Sequence, residues 1–124
     1  MERSENPRGH VSIQFPGGME LVLRPSFNVY AAIEERIGGI PKVLSQIEEG
    51  SITAVATVIW SGVTNGGRDR AAYTIEQIGE ILLEHGMNHV IAPCIRFLAT
   101  PLRGLASVAQ ESKSAPADAV KSDA

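Results

Sequence analysis

His10-Val11-Ser12-Ile13-Gln14-Phe15-Pro16-Gly17-Gly18-Met19-Glu20-Leu21-Val22-Leu23-Arg24-Pro25-Ser26 contains the change of period that decides the architecture of this chain. Val11, Ile13 and Phe15 alternate with Ser12 and Gln14, the period of two of a strand with one apolar face. Pro16-Gly17-Gly18 follows, a residue of fixed φ and then two that tolerate positive φ, which suits a tight reversal. Met19, Leu21 and Leu23 then alternate on the way back. A two-stranded hairpin is marginal in water by itself. Its apolar face must therefore lie on the segments that follow or on another chain, which leaves a homo-oligomer open.

After Pro25 the period becomes helical. Ser26 is placed to cap a helix in which Phe27, Tyr30, Ile33, Glu34 and Ile37 recur, and Gly38 closes it. Pro41 opens a second, shorter helix that buries Val43, Leu44 and Ile47 and stops at Gly50. A third runs from Ile52 to about Val63 with Ser51 or Thr53 as its cap. It is β-branched and almost uncharged, as a central buried helix should be. Asn65-Gly66-Gly67-Arg68-Asp69-Arg70 is the most polar interior segment and reads as a flexible loop. Thr74-Ile75-Glu76-Gln77 matches a capping box for a fourth helix ending at Gly86. A fifth begins near Asn88 and carries Val90, Ile91, Ile95, Phe97, Leu98 and Leu102. Pro93 and Pro101 fall inside it, so this helix is expected to begin late, kink or end early.

The expected fold is α+β and mostly α: an N-terminal hairpin, then four to five short helices in a compact bundle. Residues 1–8 read as a loose polar leader, 9–105 as one domain, and 106–124 as a disordered tail. In that tail Ala, Ser, Asp, Lys and Pro dominate and large apolar residues are nearly absent.

Composition narrows the function class. The chain has 124 residues, 44% of them hydrophobic, with six aromatic rings among them, so the core is built from Ile, Val, Leu and Ala. Its 14 acidic against 11 basic side chains argue against a nucleic-acid binder, which concentrates positive charge to displace counterions. No helix here carries the basic face of a DNA-reading regulator. The lone Cys94 allows neither an internal disulfide nor a cysteine-based zinc site and fits a reducing compartment. No apolar run approaches the ~20 residues that cross a bilayer. The expectation is a cytoplasmic protein without membrane or nucleic-acid partners.

The chemistry-bearing residues are few. His85 and His89 are four apart, yet Gly86-Met87-Asn88 between them reads as a helix break that keeps the imidazoles off a shared helical face. Cys94 lies beside Pro93 and Ile95, where a thiol behaves as a small hydrophobe. Gly62-Val63-Thr64-Asn65-Gly66-Gly67-Arg68 lacks the Lys-Ser/Thr pair of a phosphate loop and follows a helix. No serine sits in a nucleophile elbow. Trp60, Phe27 and Tyr30 are needed first for the core. These observations point to an interaction module with no catalytic residues, metal or cofactor. Its candidate contacts are the outward strand positions Ser12, Gln14, Glu20 and Val22 and the loop residues Asn65, Arg68 and Arg70.

One ordered set of motifs goes further. Asn6-Pro7-Arg8-Gly9-His10-Val11, Gly18-Met19-Glu20-Leu21-Val22-Leu23-Arg24-Pro25-Ser26 and Ile33-Glu34-Glu35-Arg36-Ile37-Gly38 are followed by Ile59-Trp60-Ser61-Gly62 and Thr74-Ile75-Glu76-Gln77-Ile78. This series resembles the gene transfer agent type of tail assembly chaperone, found in tailed phages and prophages. Order and spacing carry the likeness, which spans roughly residues 6–104. It implies a non-enzymatic morphogenesis factor acting in the host cytoplasm. Such a factor would hold the tape measure protein and recruit tail tube protein during virion assembly. The rival expectation is a structural tail component, a tube or connector subunit. It is disfavoured because a ring of such subunits needs more sheet than two strands.

Overall fold

The computed structural model describes residues 9–68 and 73–103. Strand β1 (Val11–Gln14) pairs antiparallel with β2 (Glu20–Leu23), in the register Val11 with Leu23, Ser12 with Val22, Ile13 with Leu21 and Gln14 with Glu20. A 3-10 turn over Pro16–Gly18 joins them, with φ of +90° at Gly17 and +89° at Gly18. Both values lie where a Cβ is disfavoured, so glycine at these two positions sets the reversal. Val11, Ile13, Phe15, Leu21 and Leu23 are buried on the inner face.

Among the described residues five helices follow: α1 (Phe27–Arg36), α2 (Ile40–Glu48), α3 (Ile52–Val63), α4 (Ile75–His85) and α5 (Asn88–Arg103). The mostly helical α+β fold expected from the sequence is the one observed. The side chains of Ser26 and Ser51 accept from the Val29 and Ala54 amides, and Thr74 and Gln77 form a reciprocal capping box. Each bond satisfies an amide that the helix itself leaves without a partner.

Helix α3 packs against β2 and all four other helices. Ala54 through Ile59 are buried without interruption, as are Ser61 and Gly62. That explains its lack of charge: a helix enclosed on all sides has no solvated face to carry one. Gly62 lets β2 come close, because a Cβ there would stand 2.8 Å from Leu23 Cβ. The Arg24 amide donates to the Gly62 carbonyl at 3.1 Å, tying the end of the hairpin to the end of α3.

Two expectations are corrected. Helix α5 runs through both Pro93 and Pro101, so among the described residues it neither begins late nor ends early. The absent Pro93 N–H would have met the carbonyl of His89, an exposed residue of the first turn that water can serve. The absent Pro101 N–H would have met the carbonyl of Phe97, and the Tyr30 hydroxyl donates to that oxygen instead, at 2.9 Å. The aromatic rings of Tyr30 and Phe97 stack at a centroid separation of 5.1 Å, holding the donor in position.

The second correction concerns apolar phase. Phe27 is 84% exposed and Leu102 58% exposed, so neither serves the core. Val29 and Ile33 face inward from α1, while Val90, Cys94, Phe97, Leu98 and Thr100 do so from α5. The expected leader (1–8), the tail (106–124) and Asp69–Arg70 lie outside the described residues.

Candidate functional site

Pairing in register sets Ser12 beside Val22 and Gln14 beside Glu20 on the face of the hairpin turned away from the core. The pleat sends alternate residues to opposite faces, so burial of Val11, Ile13, Leu21 and Leu23 forces these four outward together. Gln14, Glu20 and Val22 are exposed and Ser12 is half-buried. The Ser12 hydroxyl donates to the Glu20 carboxylate, a cross-strand bond that orders this face. His10, at the start of β1, has its pKa lowered from 6.5, first by burial and then by the Arg24 guanidinium.

The loop after α3 is more ordered at its start than its composition suggests. The amides of Gly66 and Gly67 donate to the carbonyls of Ser61 and Thr64, and Thr64 Oγ1 accepts from Gly67 as well. Asn65 takes a φ of +57°, and its Oδ1 accepts from the Ser26 hydroxyl at 3.0 Å. Ser26 also caps α1, so Asn65 is half-buried in a link between the α3 terminus and the α1 cap. Arg68 is exposed, and Arg70 lies outside the described residues. Arg24 joins this end of α3 to the hairpin through its guanidinium, 3.4 Å from the Val63 carbonyl. The hairpin end and the turn carrying Asn65 and Arg68 therefore belong to one end of the molecule.

The remaining chemistry-bearing residues are spent on packing. Phe15 contacts both His85 and His89, with ring centroids 5.7 and 4.9 Å away, so the hairpin tip is held at the corner between α4 and α5. Among the described residues no three His, Cys, Asp or Glu side chains are grouped to hold a metal ion. Cys94 is fully enclosed, and burial pushes its thiol up to about 12. Trp60 is half-buried: its indole N–H donates to the Tyr73 carbonyl at 3.0 Å, and the Arg36 guanidinium lies 4.7 Å over its ring. Among the described residues no helix is long and apolar enough to cross a membrane.

Sequence reasoning missed one surface. An open groove of about 520 Å³ lies between α1 and α5, lined by Phe27, Tyr30, Ala31, Glu34, Thr100 and Pro101 and by Pro25, Ser26 and Ile40 at its edges. Phe27, Tyr30, Ala31 and Glu34 are spaced at i, i+3, i+4 and i+7, a second helical stripe rotated away from Val29 and Ile33. The signal was present in the sequence as two overlapping apolar phases. Burial pushes the Tyr30 phenol up to about 12, and the adjacent Thr100 hydroxyl offsets part of that rise. Among the described residues the buried Thr100 Oγ1 meets no hydrogen-bond partner.

Comparison of the chain with protein-family models, with curated proteins and with solved structures finds no significant match in any of the three.

Proposed function

We propose that this protein is a non-enzymatic tail assembly chaperone of a phage, prophage or gene transfer agent. In this reading it binds the tape measure protein, the tail tube protein or both in the host cytoplasm, without turnover, metal or cofactor. The observation that carries the proposal is the order of the motifs along the chain. Gly18–Ser26 spans β2 and the α1 cap, Ile33–Gly38 the end of α1, Ile59–Gly62 the last turns of α3, and Thr74–Ile78 the capping box of α4. The motifs that carry the resemblance are thus the residues that build the hairpin and delimit the helices.

The hairpin supports the reading physically. Its outer face, with Ser12, Gln14, Glu20 and Val22, is free of core duty, and the backbone edges of β1 and β2, which among the described residues pair only with each other, are of the kind that accept an added strand from a partner. An acidic balance keeps such a module soluble beside aggregation-prone clients. The test is the copy number of this chain in assembling lysate and in finished particles of the same cluster. A chaperone is abundant in the lysate and absent from purified particles. Stoichiometric retention in particles would instead favour a tube or connector subunit.

A further inference from the structure

We infer that the groove between α1 and α5 is a second docking site, and that its occupant is an amphipathic helix of a partner protein carrying Lys or Arg beside its apolar stripe. The inference does not rest on the tail-assembly reading. Three observations carry it. The first is Phe27, an aromatic ring 84% exposed on the first turn of α1, at the rim of a groove of about 520 Å³. Side chains of this kind anchor interfaces because they bring large apolar area at low conformational entropy.

The second observation is shape. The groove has one helical wall with Phe27, Tyr30, Ala31 and Glu34 in an i, i+3, i+4, i+7 row, and Thr100 and Pro101 form the opposite wall. Ala31 keeps the middle of the row shallow, so the ridge of an incoming helix can settle between Phe27 and Glu34. The Tyr30 hydroxyl is already engaged by the Phe97 carbonyl, which leaves the ring, and not the hydroxyl, as the surface offered.

Charge is the third, and it selects the occupant. Glu34 is the only charged residue among the described residues that line the groove. A second copy docking through this face about a two-fold axis would bring no basic side chain of the described lining to Glu34, so self-association leaves the carboxylate without a counter-charge. The chain's own residues 104–124 are a poor match as well. They hold three acidic and two basic side chains, and Leu105, Val108 and Val120 are their only large aliphatic residues. A basic amphipathic helix answers both the apolar row and the carboxylate.

The test uses the full chain, labelled with ¹⁵N and titrated with a helical Leu/Lys peptide of about 18 residues, long enough to form several turns. A scrambled peptide of the same composition and a Leu/Glu analogue serve as controls. Shifts concentrated at Phe27, Ala31, Glu34 and Thr100, with both controls at least about tenfold weaker, are expected. Both Phe27→Ser and Glu34→Lys change exposed positions and should leave the fold intact, checked by the unperturbed spectrum. Phe27→Ser should weaken binding about tenfold and Glu34→Lys about fivefold. Equal binding of the scrambled peptide, or shifts away from the groove, overturns the proposal. So does Phe27-dependent dimerisation in sedimentation, which would make a second copy the occupant. Displacement of resonances from residues 104–124 by the peptide also overturns it, because the chain's own terminus would then fill the groove.

Discussion

Tyr30→Phe isolates the most unusual bond in this fold. The substitution keeps the ring, its stacking on Phe97 and nearly all of its buried area, and removes only the hydroxyl that donates to the Phe97 carbonyl at 2.9 Å. That carbonyl has no helical partner because residue 101 is proline. A buried carbonyl losing this donor costs about 1.5 kcal/mol, between the net worth of a hydrogen bond and the full penalty of an orphaned group. For a domain of this size the melting temperature should fall by roughly 6–12 °C. Equilibrium unfolding in urea gives the free energy directly, and Pro101→Ala supplies the control. An alanine at that position restores an N–H to the helix ladder, so Tyr30→Phe should cost about 1 kcal/mol less in the Pro101→Ala background. Equal cost of Tyr30→Phe in the two backgrounds would refute the reasoning, as the hydroxyl would then not be replacing the missing amide.

Further substitutions test the packing and the buried titrating groups. Ile59→Asp sets a carboxylate in the enclosed centre of α3, where Ile59 has no exposure, and should unfold the domain; a cooperative melt near the wild-type temperature would remove α3 from the core. Gly62→Ala drives a methyl to 2.8 Å from Leu23 Cβ and should destabilise by about 2 kcal/mol, read from the urea midpoint at unchanged slope. In alkali, Cys94 and Tyr30 both hold their protons to about 12 in the folded chain, against ordinary values of 9.0 and 10.0. Because the unfolded chain releases those protons first, stability is complete below the ordinary values and declines as pH rises through them toward 12. The melting temperature should fall steadily above about pH 9, and Cys94→Ala should delay the onset; a flat profile to about pH 11 contradicts the burial of both groups.

What was legible in the sequence was whatever local rules decide. Alternation on either side of Pro16-Gly17-Gly18 gave the hairpin and its buried face, and Ser26, Ser51 and the Thr74–Gln77 box gave helix starts that the structure reproduces. The apolar, uncharged run of α3 announced its central position. What stayed hidden depends on residues far apart in the chain. The continuity of α5 past Pro101 rests on a donor 67 residues away from the carbonyl it serves, which no window around the proline contains. The exposure of Phe27 depends on which of two apolar phases α1 turns inward, and the elements packed against it select Val29 and Ile33. The groove was missed for that reason. Asn65 looked like a mobile loop residue because its bond to Ser26 joins the ends of two helices that sequence alone does not bring together.

The central claim, that this chain works by binding another protein during tail assembly, is tested most directly by co-expression. The tagged full chain is produced with the tape measure and tail tube proteins of its own gene cluster, captured at physiological salt, and the retained chains are weighed by native mass spectrometry. The account predicts that at least one of the two is retained, and that substitutions at Gln14, Glu20 and Val22 reduce retention while the domain keeps its melting temperature. A folded domain that retains neither protein contradicts the account.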